Sequence, residues 1–238
     1  EAGRLTFTKG LNILEGMSSL RADVEALKGD VWGTLRLGIP PRVGAAFFAR
    51  VLGDFRRRYP LVDVSVVEFG GKKIRDMVLS GHVDIGVTLT PYDASLFEGM
   101  VFANEELALV VPAEAKWQGR DAVDLRDLAD EAFVTLTEDY LTGDRFREAC
   151  RVHGFVPREV GHSGQLDFLI AMVEAGIGIT FMPKGCKPMI RPHRVRLLSL
   201  SPTINWQLAL IWRRGDCVVP AAVSAWVGVT RDVLLSAS

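Results

Sequence analysis

The chain has 238 residues, 48% of them hydrophobic, enough to bury a full core as one domain or as two small lobes. Lys plus Arg total 28 against 29 Asp plus Glu, a formal net charge of −1, which excludes the basic excess of a nucleic-acid-binding surface. No apolar run spans a bilayer, the N-terminus lacks a basic and apolar signal, and Cys150, Cys186 and Cys217 have no paired metal or redox spacing; the expectation is a cytoplasmic, non-membrane protein with reduced, packed cysteines and no metal or cofactor.

In chain order, "LTFTKGLNILEGMSSLRADVEALKGD" patterns as a helix closed by Gly29. Ile13, Met17, Leu20, Val24 and Leu27 step by four, three, four, three, a coiled-coil seam of about two heptads. Residues 1–29 are therefore read as a linker and dimerisation helix, in preference to an amphipathic helix packed on its own domain. From Trp32 the elements alternate: "TLRLGI" as strand, "AAFFARVLGDFRRRYP" as a helix with Phe47, Phe48, Val51, Leu52 and Phe55 inward, "VDVSVVEF" as strand, a helix over 72–80, and "VDIGVTL" as strand. The order β-α-β-α-β predicts a mostly parallel sheet. Arg56, Arg57 and Arg58 suit the C-terminus of their helix without a functional role.

"MVFANEELALVVPA" is a β run long enough to leave one sheet and enter another, after which the alternation restarts through "DLRDLAD", "AFVTL", "GDRFREACRVHG", "PREVGH", a helix over 165–175 and "IGITFMP". "VRLLSLS" precedes a second long strand, "INWQLALIWRR", and "AAVSAWVGVTRDVLL" is a terminal helix. Two long strands, one outward and one returning, predict two α/β lobes joined by a double crossover, the first lobe discontinuous: 30–104 and 208–238 for one, 105–207 for the other.

Gly176-Ile177-Gly178 has the look of a dinucleotide loop, but its order is reversed. A phosphate loop leaves a strand and opens a helix. Here Leu166, Leu169, Ile170 and Val173 precede the glycines at helical spacing, so Gly176 is expected to stop a helix with positive φ. Gly81 is expected to do the same before "VDIGVTL".

The ordered set "EAGRL", "GTLRLGI", "FRRRYPLVDVSVVE", "GHVDIGV", "ELALVVP" and "MVEAGIGITFMP" resembles the LysR-type transcriptional regulators over essentially the whole chain. The resemblance implies a linker helix and an effector-sensing domain of two Rossmann-like lobes with double crossover strands, similar to type 2 periplasmic binding proteins, without the winged helix-turn-helix of which "EAG" looks like the end. It also implies a non-enzyme that binds a small-molecule effector in the interlobe cleft, forms a homodimer or homotetramer, reaches DNA only through the N-terminal domain, and has RNA polymerase as a further partner. The alternative is a solute-binding protein of a transport system, which would carry a signal peptide or lipid anchor in place of a heptad helix.

Ligands of open α/β sheets bind beyond the carboxyl ends of the strands, where helix N-termini present unpaired N–H groups. Four such turns are candidates: "IPPRVGA", "EFGGKK", "VTLTED" and "GHSGQLD". The candidate effector contacts are Pro41, Arg42 and Val43 in the first, Gly70 and Gly71 in the second, Thr137 in the third, and Ser163, Gly164 and Gln165 in the fourth. Converging helix N-termini favour an anion, and a carboxylate is the natural one. Where the family usually carries Ser or Thr this chain has Arg42, whose guanidinium either forks onto a carboxylate or points outward and leaves binding to the backbone. Gly71 stands where Thr is common, so Gly70 and Gly71 offer backbone amides as an anion nest or form a plain turn. Thr137 can donate its hydroxyl, and Ser163 reads equally as an N-cap or a ligand contact. His82, His153, His162 and His193 show no metal-ligand spacing, and no G-x-S-x-G elbow is present. His162, beside Ser163, reads as a surface histidine or as one that lies at the cleft and tunes an effector's charge, the surface reading being preferred.

Overall fold

The computed structural model describes residues 31–215 and 219–236, with Gly3, Thr6, Lys9, Gly10, Ile13, Gly16 and Met17, all helical, before them. Ile13 and Met17 expose 66% and 65% of their surface. Leu20, Val24 and Leu27 of the predicted seam, Gly29 and Cys217 lie outside the described residues.

The chain divides into two compact units, one formed up to Phe102 and again from Ala209, the other by Ala103–Leu208. In unit 1, β1 (Gly33–Ile39) is followed by a π turn, Gly44–Phe48, in which the Ala49 N–H reaches back to the Gly44 carbonyl, and then by α1 (Ala49–Arg58). β2 (Val62–Glu68), α2 (Gly71–Leu79) and β3 (Ile85–Leu89) complete the alternation. β1 pairs in parallel with both β2 and β3. β4 (Phe97–Pro112) leaves unit 1 through its own length, and β10 (Asn205–Arg213) returns before α5 (Ala221–Leu234). The core of unit 1 is aromatic where α1 meets α5: Trp226, 1% exposed, stands 5.1 Å from the Phe55 ring and 6.0 Å from that of Phe48.

Unit 2 holds the short strand β5 (Ala122–Asp124), β6 (Ala132–Leu136), α3 (Leu141–Val152), β7 (Arg158–Ser163), α4 (Leu166–Glu174), β8 (Thr180–Pro183) and β9 (Val195–Ser201). β4 runs antiparallel to β8 and β9, and β6 runs parallel to β7. Leu166, Leu169, Ile170 and Val173 bury the inner face of α4 against Val110, Val134, Met182 and Val195. "DLRDLAD" forms a single 3-10 turn, Leu125–Leu128, started by Asp124, whose carboxylate accepts from the Arg126 N–H.

Three helices close by one device. After α2, Gly81 (φ 75°) donates to the Val78 carbonyl and His82 to that of Met77; after α4, Gly176 (φ 74°) donates to Val173 and Ile177 to Met172. α3 ends likewise at Gly154 (φ 90°), with Phe155 bonded to Cys150. Each is a left-handed glycine closing a helix with paired reverse bonds. Gly178 has a different task. A Cβ there would lie 2.6 Å from the Ala132 carbonyl oxygen, so its bare Cα lets the chain lie against β6, where Ile179 exchanges bonds with Ala132 and Val134. The Gly-Ile-Gly segment is a helix stop followed by a close strand approach, and it faces no phosphate-type turn.

Candidate functional site

On unit 1 the first two turns lie side by side because β1 and β2 are parallel and in register, Ile39 against Glu68. Pro41 is half-buried and Arg42 exposed. Arg42 takes φ 76°, the one positive φ of a residue other than glycine among the described residues. A side chain in that region costs on the order of 1–2 kcal/mol, so the turn holds Arg42 in a conformation its own chemistry disfavours. Val43 is 6% exposed, so of the expected contacts in this turn it has only main chain to offer. Its N–H donates to the Pro40 carbonyl at 3.1 Å, and the Ala46 N–H to that of Arg42 at 3.0 Å.

The second turn ends in Gly70, the N-cap of α2, which has no side chain to cap the helix. No acidic residue occupies the first turn of α2; Gly71, Lys72 and Lys73 do. Two cations at a helix N-terminus oppose the macrodipole, an arrangement favourable to a bound anion and otherwise costly. Glu68, unmarked in the sequence, limits this. A Cβ on Gly44 would lie 4.0 Å from Glu68 Oε1, which places that carboxylate beside the first turn.

On unit 2 the third and fourth turns are tied together. The Thr137 N–H donates to the Ser163 carbonyl at 3.2 Å and the Tyr140 N–H to that of Thr137 at 3.0 Å. The Tyr140 hydroxyl, 3.1 Å from the Gly164 carbonyl, bridges the two turns. A Cβ on Gly164 would sit 3.7 Å from Tyr140 Oη and 3.9 Å from Thr137 Oγ1, so Thr137, Tyr140 and Gly164 border one small space. Ser163 is not the N-cap of α4: Gln165 holds that place without a side-chain cap, and the Gln165 N–H donates to Ser163 Oγ at 3.0 Å, turning the chain before the helix begins.

His162 belongs to a network that the sequence did not reveal. An extra residue in β7, where Phe133 pairs with Glu159 and Val134 with Gly161, shifts the alternation so that Glu159 and His162 share a face. Both reach Thr135 Oγ1, which donates to Glu159 and lies 2.9 Å from His162 Nδ1. Arg147 of α3 donates through Nε to Glu159 Oε1 at 2.7 Å and through Nη1 to Asp144 at 2.9 Å. Burial pushes the Glu159 carboxyl up, but the bonds from Arg147 and Thr135 outweigh it and hold the group below its ordinary value. With the Thr135 proton committed to an ionised Glu159, the His162 contact is made by Nδ1–H.

Burial raises the Cys150 thiol to about 12, so it holds no reactive thiolate near neutral pH. Among the described residues no cluster of His, Cys, Asp and Glu could hold a metal, and no helix is long and apolar enough to cross a membrane.

With this geometry in view, comparison with known proteins gives a consistent family. The LysR substrate binding domain family model matches residues 28–234. An uncharacterized HTH-type transcriptional regulator of Bacillus subtilis, YwbI, is 36% identical over 203 residues, 85% of this chain and 67% of that protein. The HTH-type transcriptional regulator ShiR of Corynebacterium glutamicum is 27% identical over 222 residues, 90% of this chain and 74% of that protein. Among solved structures, an H2O2-bound cysteine-to-serine mutant of Corynebacterium glutamicum OxyR aligns with a TM-score of 0.77 at 20% identity, covering 100% of this chain and 76% of that one. The effector binding domain of QuiR in complex with shikimate aligns with a TM-score of 0.76 at 17% identity, covering 86% and 98%. These structural likenesses establish the fold, which is that of LysR effector-binding domains.

Proposed function

The chain belongs to the LysR-type transcriptional regulators and contains the family's effector-binding domain, and from that premise we propose that its effector is a small carboxylate-type anion. The first turn of α2 carries this assignment. Gly70 and Gly71 bring main-chain amides to the helix N-terminus, no side chain caps them, no acidic residue lies in the first turn, and Lys72 and Lys73 stand there, with Glu68 as the carboxylate nearby. The neighbouring turn adds the Pro41–Val43 main chain and the exposed Arg42, whose guanidinium remains either a carboxylate fork or a bystander. On unit 2, Thr137, Ser163, Gly164 and Gln165 are the further contacts we assign to the effector. A related domain, QuiR, holds shikimate.

β4 and β10 both pass from one unit to the other, and an effector shifts a two-state population only by as much as its affinities for the two states differ. As in the family, we take the chain as a protomer of a homodimer or homotetramer that reaches DNA through an N-terminal helix-turn-helix and acts on RNA polymerase. Family membership leaves the transport-protein reading without support.

The test is a titration of aliphatic and aromatic carboxylates followed by tryptophan fluorescence and melting temperature. Wild type is compared with Gly71→Asp, which places a carboxylate where the anion is assigned. We expect the variant to bind at least about tenfold more weakly, on the order of 1.4 kcal/mol. Unchanged affinity for an effector that wild type binds shows the anion is held elsewhere, and a neutral or cationic effector removes the helix-dipole basis.

A further inference from the structure

Building on the carboxylate assignment, we infer that the effector is an amino acid and not a plain acid: its carboxylate takes the opening of α2, and an ammonium group on the same molecule pairs with Glu68. Every residue in this inference belongs to unit 1. Glu68 is the last residue of β2 and lies opposite Ile39 of β1, at the carboxyl ends of two parallel strands, where open α/β sheets take their ligands. Three residues of chain separate it from Gly71 and span at most about 11 Å, within the reach of one small molecule.

The side chain leans toward the first turn. A Cβ on Gly44 would meet Ile39 Cγ2 at 3.8 Å and Glu68 Oε1 at 4.0 Å, so the bare glycine leaves an open place beside a carboxylate oxygen.

Charge decides what suits that place. Arg42, Lys72 and Lys73 belong to the same two turns, yet the exposed Glu68 carboxylate forms no ion pair or hydrogen bond among the described residues. To a plain carboxylate at the α2 opening it is a nearby like charge, which weakens the complex. To a zwitterion it is a partner: the Gly70 and Gly71 amides and the lysines receive one end of the molecule and Glu68 the other. A site with both signs of charge selects a ligand with both, because a ligand with one alone meets repulsion without compensation.

The experiment is calorimetric titration of the whole chain with pairs that differ by the ammonium group: alanine against propionate, phenylalanine against 3-phenylpropionate, and 4-aminobutyrate against butyrate, with phenethylamine as the cation alone. A charge-assisted bond to an exposed carboxylate corresponds to roughly a 3- to 10-fold advantage for the amino member of the pair that fits. Glu68→Gln, a change of charge at nearly constant shape, should erase it. The amino acid then binds about 3- to 10-fold more weakly, while the plain acid binds as it does to wild type or up to about threefold more tightly. A merely structural residue would weaken both alike. Equal affinities or a preference for the plain acid within every pair in wild type, an advantage that survives Glu68→Gln, or equal weakening of both members overturns the inference while leaving the carboxylate assignment standing. If phenethylamine binds as tightly as phenylalanine, or no acid and no amino acid of the series binds wild type, the carboxylate assignment itself falls, and this inference with it.

Discussion

In unit 1 the helix that follows β2 opens with two lysines, no carboxylate and no capping side chain, whereas the helices that follow β6 and β7 in unit 2 each carry an aspartate in the first turn. Both units use one plan, a strand ending in a short turn that opens a helix, and they finish it with opposite electrostatics. At the unit 1 terminus two lysines stand against the helix dipole, where a cation costs roughly 0.3–1 kcal/mol. The unit 2 termini are balanced by their own chain and are bound together by Tyr140 and the Arg147–Glu159–Thr135–His162 network. Equivalent positions in a repeated architecture can thus carry opposite charge at their helix openings.

Paired substitutions test this division most strongly. Beside the loss of about tenfold or more expected for Gly71→Asp, the same change at Gly164, where the first turn of α4 already holds an aspartate, should weaken a bound monocarboxylate by less than about threefold. Equal losses at the two positions, measured by calorimetry, would break the comparison.

The next effect concerns stability and sharpens the view of unit 2 as internally balanced. Glu159→Gln leaves the partly buried Arg147 without its charged partner and should cost about 1–2 kcal/mol at neutral pH, a melting temperature lower by roughly 3–6 °C, with or without ligand. The Glu159 carboxyl is held below its ordinary value of 4.5, so its contribution is present above that pH and is lost as pH falls through the folded-state value. The gap between wild type and variant in thermal melts should therefore stay constant from neutral pH to about 5 and close below it. A gap that widens on acidification contradicts the network.

Smallest is Arg42→Gly. Removing a side chain from φ 76° relieves strain in the wild-type turn, and even against the extra chain entropy of glycine we expect about 1 kcal/mol of stabilisation, some 2–4 °C. The same variant decides the role of the guanidinium: carboxylate affinity falls if it forks onto the ligand and holds if the main chain alone binds.

Much of the fold was legible because its determinants are local. The stops at Gly81 and Gly176 follow from helical spacing ended by glycine, and the order of strands and helices follows from alternating apolar periods. Features that depend on neighbours distant in sequence were not legible. Parity along "PREVGH" puts Glu159 and His162 on opposite faces, and only the extra residue opposite Phe133 and Val134 brings them together on Thr135. Tyr140 reads as an ordinary turn residue until the chain brings Gly164 to it, 24 positions on. β5 is three residues long, too short for any period, and the π turn at Gly44 has no signature in composition. Ser163 misled because a serine shortly before a helix usually caps it; here it turns the chain two residues early.

The unfinished opening of α2 bears on how long the protein survives as well as on what it senses. Lys72 and Lys73 stand against the dipole in the first turn of α2, which weakens that turn, and the weaker turns of a helix are where proteolysis and hydrogen exchange begin. A carboxylate that settles on the Gly71 end acts as the missing cap, stabilising the folded chain in proportion to its concentration over its dissociation constant, by about 2.7 kcal/mol at a hundredfold excess. On the proposed assignment the effector that signals to the regulator would also preserve it, so a cell depleted of it would hold fewer copies of the protein as well as a different state of it.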